Sequence, residues 1–233
     1  MGRAKAFLAY FNKIEKALNT LYGKDDERMS FYELVQALRK KNRQIAYFAD
    51  DLHEFRALRN AIVHDTIGEV VIAEPCESTV SRIKKIYELI TKPKLIQDLC
   101  KNQEVITVTL SDTLEEILKL IKSSGYSQFP VLDCKRVIGM LTTNAITNYL
   151  ADKMIGNELL IDSVTVSDIF KVSDDHNLFH MISRYTTVYD ISEMIEEHPK
   201  VLMFIMTEQG KTTQQILHVV TSWDFHGIYQ ERE

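Results

Sequence analysis

From Val105 onward the sequence repeats itself, and that duplication limits the possible folds more than any other feature. The first copy is VITVTLSDTLEEILKLIKSSGYSQFPVLDCKRVIGMLTTNAITNYL, and the second is FHMISRYTTVYDISEMIEEHPKVLMFIMTEQGKTTQQILHVVTSWDFHGIY. Each reads as a strand, a helix opened by a hydroxyl or carboxylate cap, two strands joined by a turn, and a second helix. Thr113 corresponds to Thr187, and Thr142 corresponds to Thr221 at a slightly wider separation. The extra residues fall in the second hairpin, where the stretch from Glu208 to Gln215 replaces the tighter Asp133-Cys-Lys-Arg136. Hairpin loops are where insertions are tolerated. The pattern predicts two βαββα units, at about 105–155 and 176–230, within a domain running from 105 to 233.

Before the repeat the period is helical. Phe7, Phe11, Ile14, Leu18 and Leu21 form one apolar stripe. Ser30 and Glu33 have the capping-box spacing and open a second helix through Leu38. A third helix is predicted from about Gln44 to His64, with Ile45, Phe48, Leu52, Phe55 and Ile62 on one side. A fourth carries Val80, Ile83, Ile86 and Ile90 and ends before Pro93. Gly68 closes the third-helix region, and Glu69–Glu74 is a short apolar run. Residues 1–94 are therefore expected to be a helical bundle, with 95–104 connecting it to the repeats. The fold class is α+β.

At 45% apolar and 26% charged residues, the chain can bury a core. No apolar run approaches the ~20 residues that span a bilayer, and the N-terminus lacks a signal-like apolar region. Cys76, Cys100 and Cys134 show no metal spacing, so reduced thiols and a cytoplasmic location are expected. The histidines at 176, 180, 198, 218 and 226 are spread without ligand spacing, so no metal is expected. Charge is uneven: residues 1–95 hold 17 Lys/Arg against 13 Asp/Glu, and the remainder 11 against 20. A mildly basic front half can approach an anionic polymer such as RNA, and an acidic back half would repel one.

A hydroxyl at the end of a strand that leads into a helix can hold phosphate, and an Asp three residues later can accept from a ribose diol. Thr221-Ser-Trp-Asp224 supplies this arrangement. Thr142 supplies only the hydroxyl, since Ala145 stands at the acidic position. Trp223, between the polar pair, is expected to cover a hydrophobic edge. These residues resemble the strand-to-helix signature of CBS (Bateman) domains, over about Val105–Tyr229. The resemblance implies a pseudo-twofold pair that dimerises and binds AMP, ATP, S-adenosylmethionine or a cyclic dinucleotide between the repeats. It implies that Thr221 and Asp224 hold phosphate and ribose, and that Met181, Ile182, Val201 and Met203 line the base. Thr142 would serve a second site. Gly139 has no counterpart in the second copy, where His218 stands.

On the third helix, Arg59 fills the gap in the apolar stripe, where an unpaired guanidinium would be costly. At 100° per residue Arg56, Asn60, His53 and His64 lie ~60–140° around from it and form a polar ridge. A network with Asp50, Asp51 or Glu54 that fixes helix packing would also account for these groups. The stretch Arg56-Ala-Leu-Arg59-Asn60-Ala-Ile-Val-His64 resembles the HEPN superfamily, whose ribonuclease members pair such an Arg and His across a homodimer. The resemblance implies metal-independent RNA cleavage with no cofactor. His64 would be the acid/base, Arg59 would stabilise the phosphorane, and Asn60 would orient one of them. Arg39, Lys40, Lys41, Arg43 and Arg56 would guide RNA. The joint expectation is a homodimeric ribonuclease regulated by an adenine nucleotide, with no DNA or membrane partner. The alternative is a non-enzymatic sensor whose helices bind another protein.

Overall fold

The computed structural model describes residues 2–23, 29–64, 66–67, 70–71, 73–100, 104–153, 163–221, 223–225 and 227–228, without the side chains of 64, 66, 67, 70 and 71. Gly68, Glu69, His226 and the His64 side chain thus lie outside the described residues. The chain divides into two compact units, one of residues 1–94 with 187–193 and the other of 95–186 with 194–233.

The first unit is built on α1 (Arg3–Tyr22), α2 (Phe31–Leu38), α3 (Arg43–Tyr47), α4 (Ala49–His64) and α5 (Glu77–Thr91), with a small antiparallel ladder of β1 (Thr66–Ile67) and β2 (Val70–Val71). The stripe of α1 is buried at Phe7, Phe11, Ile14 and Leu18, but Leu21 is 48% exposed, because it lies in the last turn before Gly23. Gly23 adopts φ 71°, the left-handed cap that glycine reaches without strain. The capping box of α2 forms as expected: Ser30 N–H donates to Glu33 Oε2 at 2.9 Å, and the Glu33 amide donates back to Ser30 Oγ at 3.3 Å. The Ser30 amide and then its hydroxyl, both donating to the carboxylate, hold the Glu33 carboxyl below its ordinary range.

The third helix is not continuous. Asn42 caps α3 by accepting from the Ile45 amide, and Phe48, at φ −93° and ψ 8°, breaks the spiral before α4 begins. The apolar positions 45, 48, 52, 55 and 62 are nevertheless all buried. The break lets Phe48 reach the unit's core beside Tyr189 of segment 187–193, with ring centroids 5.5 Å apart. Phe7 meets Phe55 edge-on at 5.8 Å, and Phe11 stacks on Phe31 at 4.6 Å. Truncating a fully buried ring such as Phe7 to Ala removes about 3–5 kcal/mol of this packing.

The second unit contains two three-stranded sheets of identical topology. The first has β3 (Val108–Thr109), β4 (Gln128–Asp133) and β5 (Arg136–Thr142), and the second has β6 (Phe179–Ser183), β7 (Met203–Thr207) and β8 (Ile216–Thr221). In each sheet the first pairing is parallel and the second antiparallel. Even the bulge is repeated. The register skips Ile138 in β5 and Leu217 in β8, positions offset by the same interval as Thr142 and Thr221. Helix α6 (Leu114–Ser124) follows β3 behind a Thr113–Glu116 capping box, α7 (Thr143–Lys153) follows β5, α8 (Val166–Phe170) joins the repeats, and α9 (Val188–Glu197), whose residues up to 193 count with the first unit, follows β6. Residues of both sheets share a core that includes Val137, Met140, Met203 and Ile205.

The two repeats exchange their leading segments. The Val166 amide donates to Asp112 O at 2.9 Å, and the Ile96 amide donates to Thr186 O at 3.0 Å. The segment before each repeat therefore binds the other repeat. Ile96, within the stretch expected to be a connection, is 1% exposed for this reason. Among the described residues no helix is long and apolar enough to cross a membrane.

Candidate nucleotide-binding cleft

Thr221 ends β8, and a helical turn follows at 223–225. Asp224 Oδ2 accepts from the Thr221 amide at 2.8 Å and from its hydroxyl at 3.2 Å, so the carboxylate braces the strand end. Both residues line an open cavity of about 610 Å³ within the second unit. Its far wall comes from the other repeat: Val105 and Ile106 before β3, and Gln128 and Pro130 on β4. Ile96, Leu99, Cys100, Tyr126 and Trp223 also line it. Trp223 is 88% exposed, so the expectation that it covers apolar surface fails. Its neighbours Thr221 and Asp224 hold the turn by polar bonds and leave the indole in solvent.

The Cys100 thiol faces this cleft with its pKa pushed up to about 11, first by burial and then by the Asp224 charge. Gln128 contributes an unusual group. Its carboxamide oxygen is buried and finds no hydrogen-bond partner among the described residues.

Met181, Ile182, Val201 and Met203, expected to line the base, are not part of this wall. Ile182, Val201 and Met203 are buried, and Met203 and Met181 belong to the core between the sheets. The reason is the crossed construction of the unit. Gln128 pairs with Thr142 and Met203 pairs with Thr221, so Gln128 and Met203 are counterparts in the two sheets. The cleft beside Thr221 is lined by β8 itself and, from the other sheet, by Gln128 and Pro130 of β4. The duplication was visible in sequence, and a twofold relation between the copies would have pointed to β4.

The cleft beside Thr142 is filled by protein. The Thr142 hydroxyl donates to Asp175 Oδ2 at 2.9 Å, Asn144 Nδ2 donates to the same oxygen at 3.3 Å, and the Ala145 amide donates to Thr142 Oγ1 at 2.9 Å. Thr142 is 4% exposed. A Cβ added at Gly139 would stand 2.5 Å from the Phe170 ring and 2.9 Å from the His176 carbonyl oxygen. Glycine at 139 is what admits the phenyl ring, and Thr142 has no room for a ligand.

In the helical unit, Arg59 is half-buried and donates through Nη1 to Asn60 Oδ1 at 3.2 Å. The guanidinium is thus met by a neighbouring carboxamide and not left unpaired in the apolar stripe. His64 ends α4, and its side chain lies outside the described residues. The other ridge members serve packing. Arg56 lies over the Tyr32 ring at 5.7 Å, and His53 Nε2 is 3.0 Å from the Gln36 amide nitrogen. Asp51 receives both Nε and Nη2 of Arg82, at 3.0 and 2.7 Å. Arg39, Lys40 and Lys41 form an exposed turn, whereas Arg43 pairs with Glu193 at 3.2 Å.

Residues 96–152 match the family model of the CBS domain, so the chain carries a CBS domain over its first repeat. A search of curated proteins finds no match. Similar solved structures include the CBS domain of a CBS-domain-containing membrane protein from Sphaerobacter thermophilus, at 15% identity over 65% of this chain and 98% of that one, with a TM-score of 0.47. The CBS domain pair of protein MJ0100, in complex with 5′-methylthioadenosine and S-adenosyl-L-methionine, is 15% identical over 60% and 99%, with a TM-score of 0.45. The CBS domain of the bacterial CNNM/CorC family Mg2+ transporter in complex with ATP is 20% identical over 63% and 92%, with a TM-score of 0.43.

Proposed function

We propose that this chain is a sensor whose open cleft binds an adenine nucleoside or nucleotide. One observation carries the reading: Thr221 and Asp224 stand together at the edge of a cavity of about 610 Å³, within the ~300–1,000 Å³ of small-molecule sites. Asp224 is already oriented by Thr221 and uses one carboxylate oxygen for that, which leaves the other to accept from a ribose diol. The CBS domain over residues 96–152 agrees with such a role.

The cleft also suits regulation. Its walls belong to different repeats, so a ligand that touches both ties β4 to β8. A ligand shifts an equilibrium only by its preference for one arrangement, and a tenfold preference is worth about 1.4 kcal/mol. Thermal unfolding with AMP, ATP and S-adenosylmethionine tests the reading. At a hundredfold excess over Kd the binding form gains about 2.7 kcal/mol. Asp224→Ala should lose most of that gain, and an equal gain in the variant would remove the assignment. The dimer that such a pair implies is read by light scattering on the same samples.

A second reading, a metal-independent ribonuclease controlled by the cleft, draws on one observation: Arg59 and Asn60 present a joined cation and carboxamide at a half-buried place on α4, the helix that His64 ends. Structured RNA incubated with wild type and His64→Ala, with and without AMP, decides it. Equal inertness of the two would leave the sensor without the enzyme.

A further inference from the structure

From the cleft's unpaired amide, and resting on the adenine reading above, we infer that Gln128 is the residue that reads the base, accepting from the 6-amino group of adenine.

Gln128 begins β4 and lines the same cavity as Thr221. Its Oε1 is buried without a partner among the described residues, although a buried acceptor left unmade costs about as much as a lost hydrogen bond. The fold does not require an amide here. At the matching place in the other sheet stands Met203, wholly buried and apolar, in the sheet whose counterpart cleft is filled. The two repeats thus agree in backbone at this place and differ in chemistry, and the polar residue lies on the open side. As placed, Oε1 is shielded from solvent, and the last side-chain torsion, broad for an amide, is the freedom by which it would meet a base in the cavity. A carboxamide offers one acceptor beside one donor, and adenine presents its amine beside the N7 acceptor in the complementary order. Hypoxanthine carries a carbonyl in place of that amine and meets Oε1 with a second acceptor.

Calorimetric titration of the full chain with AMP and with IMP tests the assignment, using wild type, Gln128→Leu and Gln128→Glu. Wild type should favour AMP over IMP by about tenfold, the scale of one well-made hydrogen bond. Gln128→Leu should lose that preference by binding AMP about tenfold more weakly. Gln128→Glu keeps an acceptor for the amine and should retain more of the AMP affinity than Gln128→Leu does. Unliganded melting curves show whether each variant is folded. Wild type that binds AMP and IMP equally, or Gln128→Leu that binds AMP as wild type does, overturns the assignment and leaves the cleft as an adenine-compatible site. Wild type that binds neither nucleotide overturns the site and the assignment together.

Discussion

Beside Thr221 the second unit leaves a cavity, and beside Thr142 it packs protein into the corresponding place, although the two sheets share strand order, register and bulge. The difference traces to a few side chains. The exchanged segments align Ile96 with Val166, and the same offset aligns Cys100 with Phe170. Across from them stand His218 in the open cleft and Gly139 in the filled one. A phenyl ring against a glycine takes up the space in one, and a cysteine and a histidine line the cavity at the matching places in the other. Asp175 then takes the Thr142 hydroxyl that a ligand would have used. A duplicated backbone therefore offers two corresponding places, and side-chain volume leaves a cavity at one and packed protein at the other.

The largest expected effect comes from making the open cleft resemble the filled one. Cys100→Phe should place a ring where the thiol stands and weaken AMP binding roughly a hundredfold or more, about 2.7 kcal/mol, read by calorimetry. Retained affinity would break the comparison. Next, Gly139→Ala should destabilise the protein by about 1–3 kcal/mol through overpacking against Phe170 and the His176 carbonyl, measured by denaturant unfolding. AMP affinity should stay unchanged, since that residue faces the other cleft.

The hairpins of the two repeats provide a smaller test. Cys134 and Lys135 adopt φ 47° and 65°, left-handed values that cost ordinary residues about 1–2 kcal/mol each, whereas the longer second hairpin places Gly210 at φ 74°. Replacing Cys134-Lys135 with Asn-Gly should stabilise the chain by about 1 kcal/mol, seen as a raised unfolding midpoint.

The smallest effect is chemical. Hydrogen bonds from Ser78 and Thr79 bring the Cys76 thiol down to about 7, while burial and Asp224 push Cys100 up to about 11. The thiolate is the reactive form and is populated above the pKa. Alkylation at pH 8 should therefore mark Cys76 rapidly and Cys100 slowly. Cys100 should gain reactivity only as pH climbs toward 11, and AMP should protect Cys100 alone. Peptide mass mapping of the alkylated protein checks both rates.

Much of this was legible in sequence, for a common reason. The Ser30–Glu33 and Thr113–Glu116 caps close within a single turn, and the apolar stripes follow helical and strand periods that need no knowledge of the rest of the chain. The bond between Thr221 and Asp224 also closes within a single turn, although the sequence pattern assigned the pair to a ligand and not to each other. Harder to read were the break at Phe48 and the placement of Arg59. At Phe48, core packing against Tyr189 outweighs helix continuity. At Arg59, a half-buried guanidinium is met by the carboxamide of its neighbour Asn60.

Alone, the sequence determined a helical segment followed by a duplicated βαββα unit with polar residues at its strand ends, because periodicity, capping and repetition are local properties. Only the tertiary structure decided that the open cleft takes part of its lining from the opposite repeat, that Gln128 rather than Met203 borders it, and that Phe170 packs against Gly139 in the other repeat. Those outcomes depend on which side-chain volumes and hydrogen-bonding groups meet between segments far apart in the chain, and no local pattern encodes that meeting.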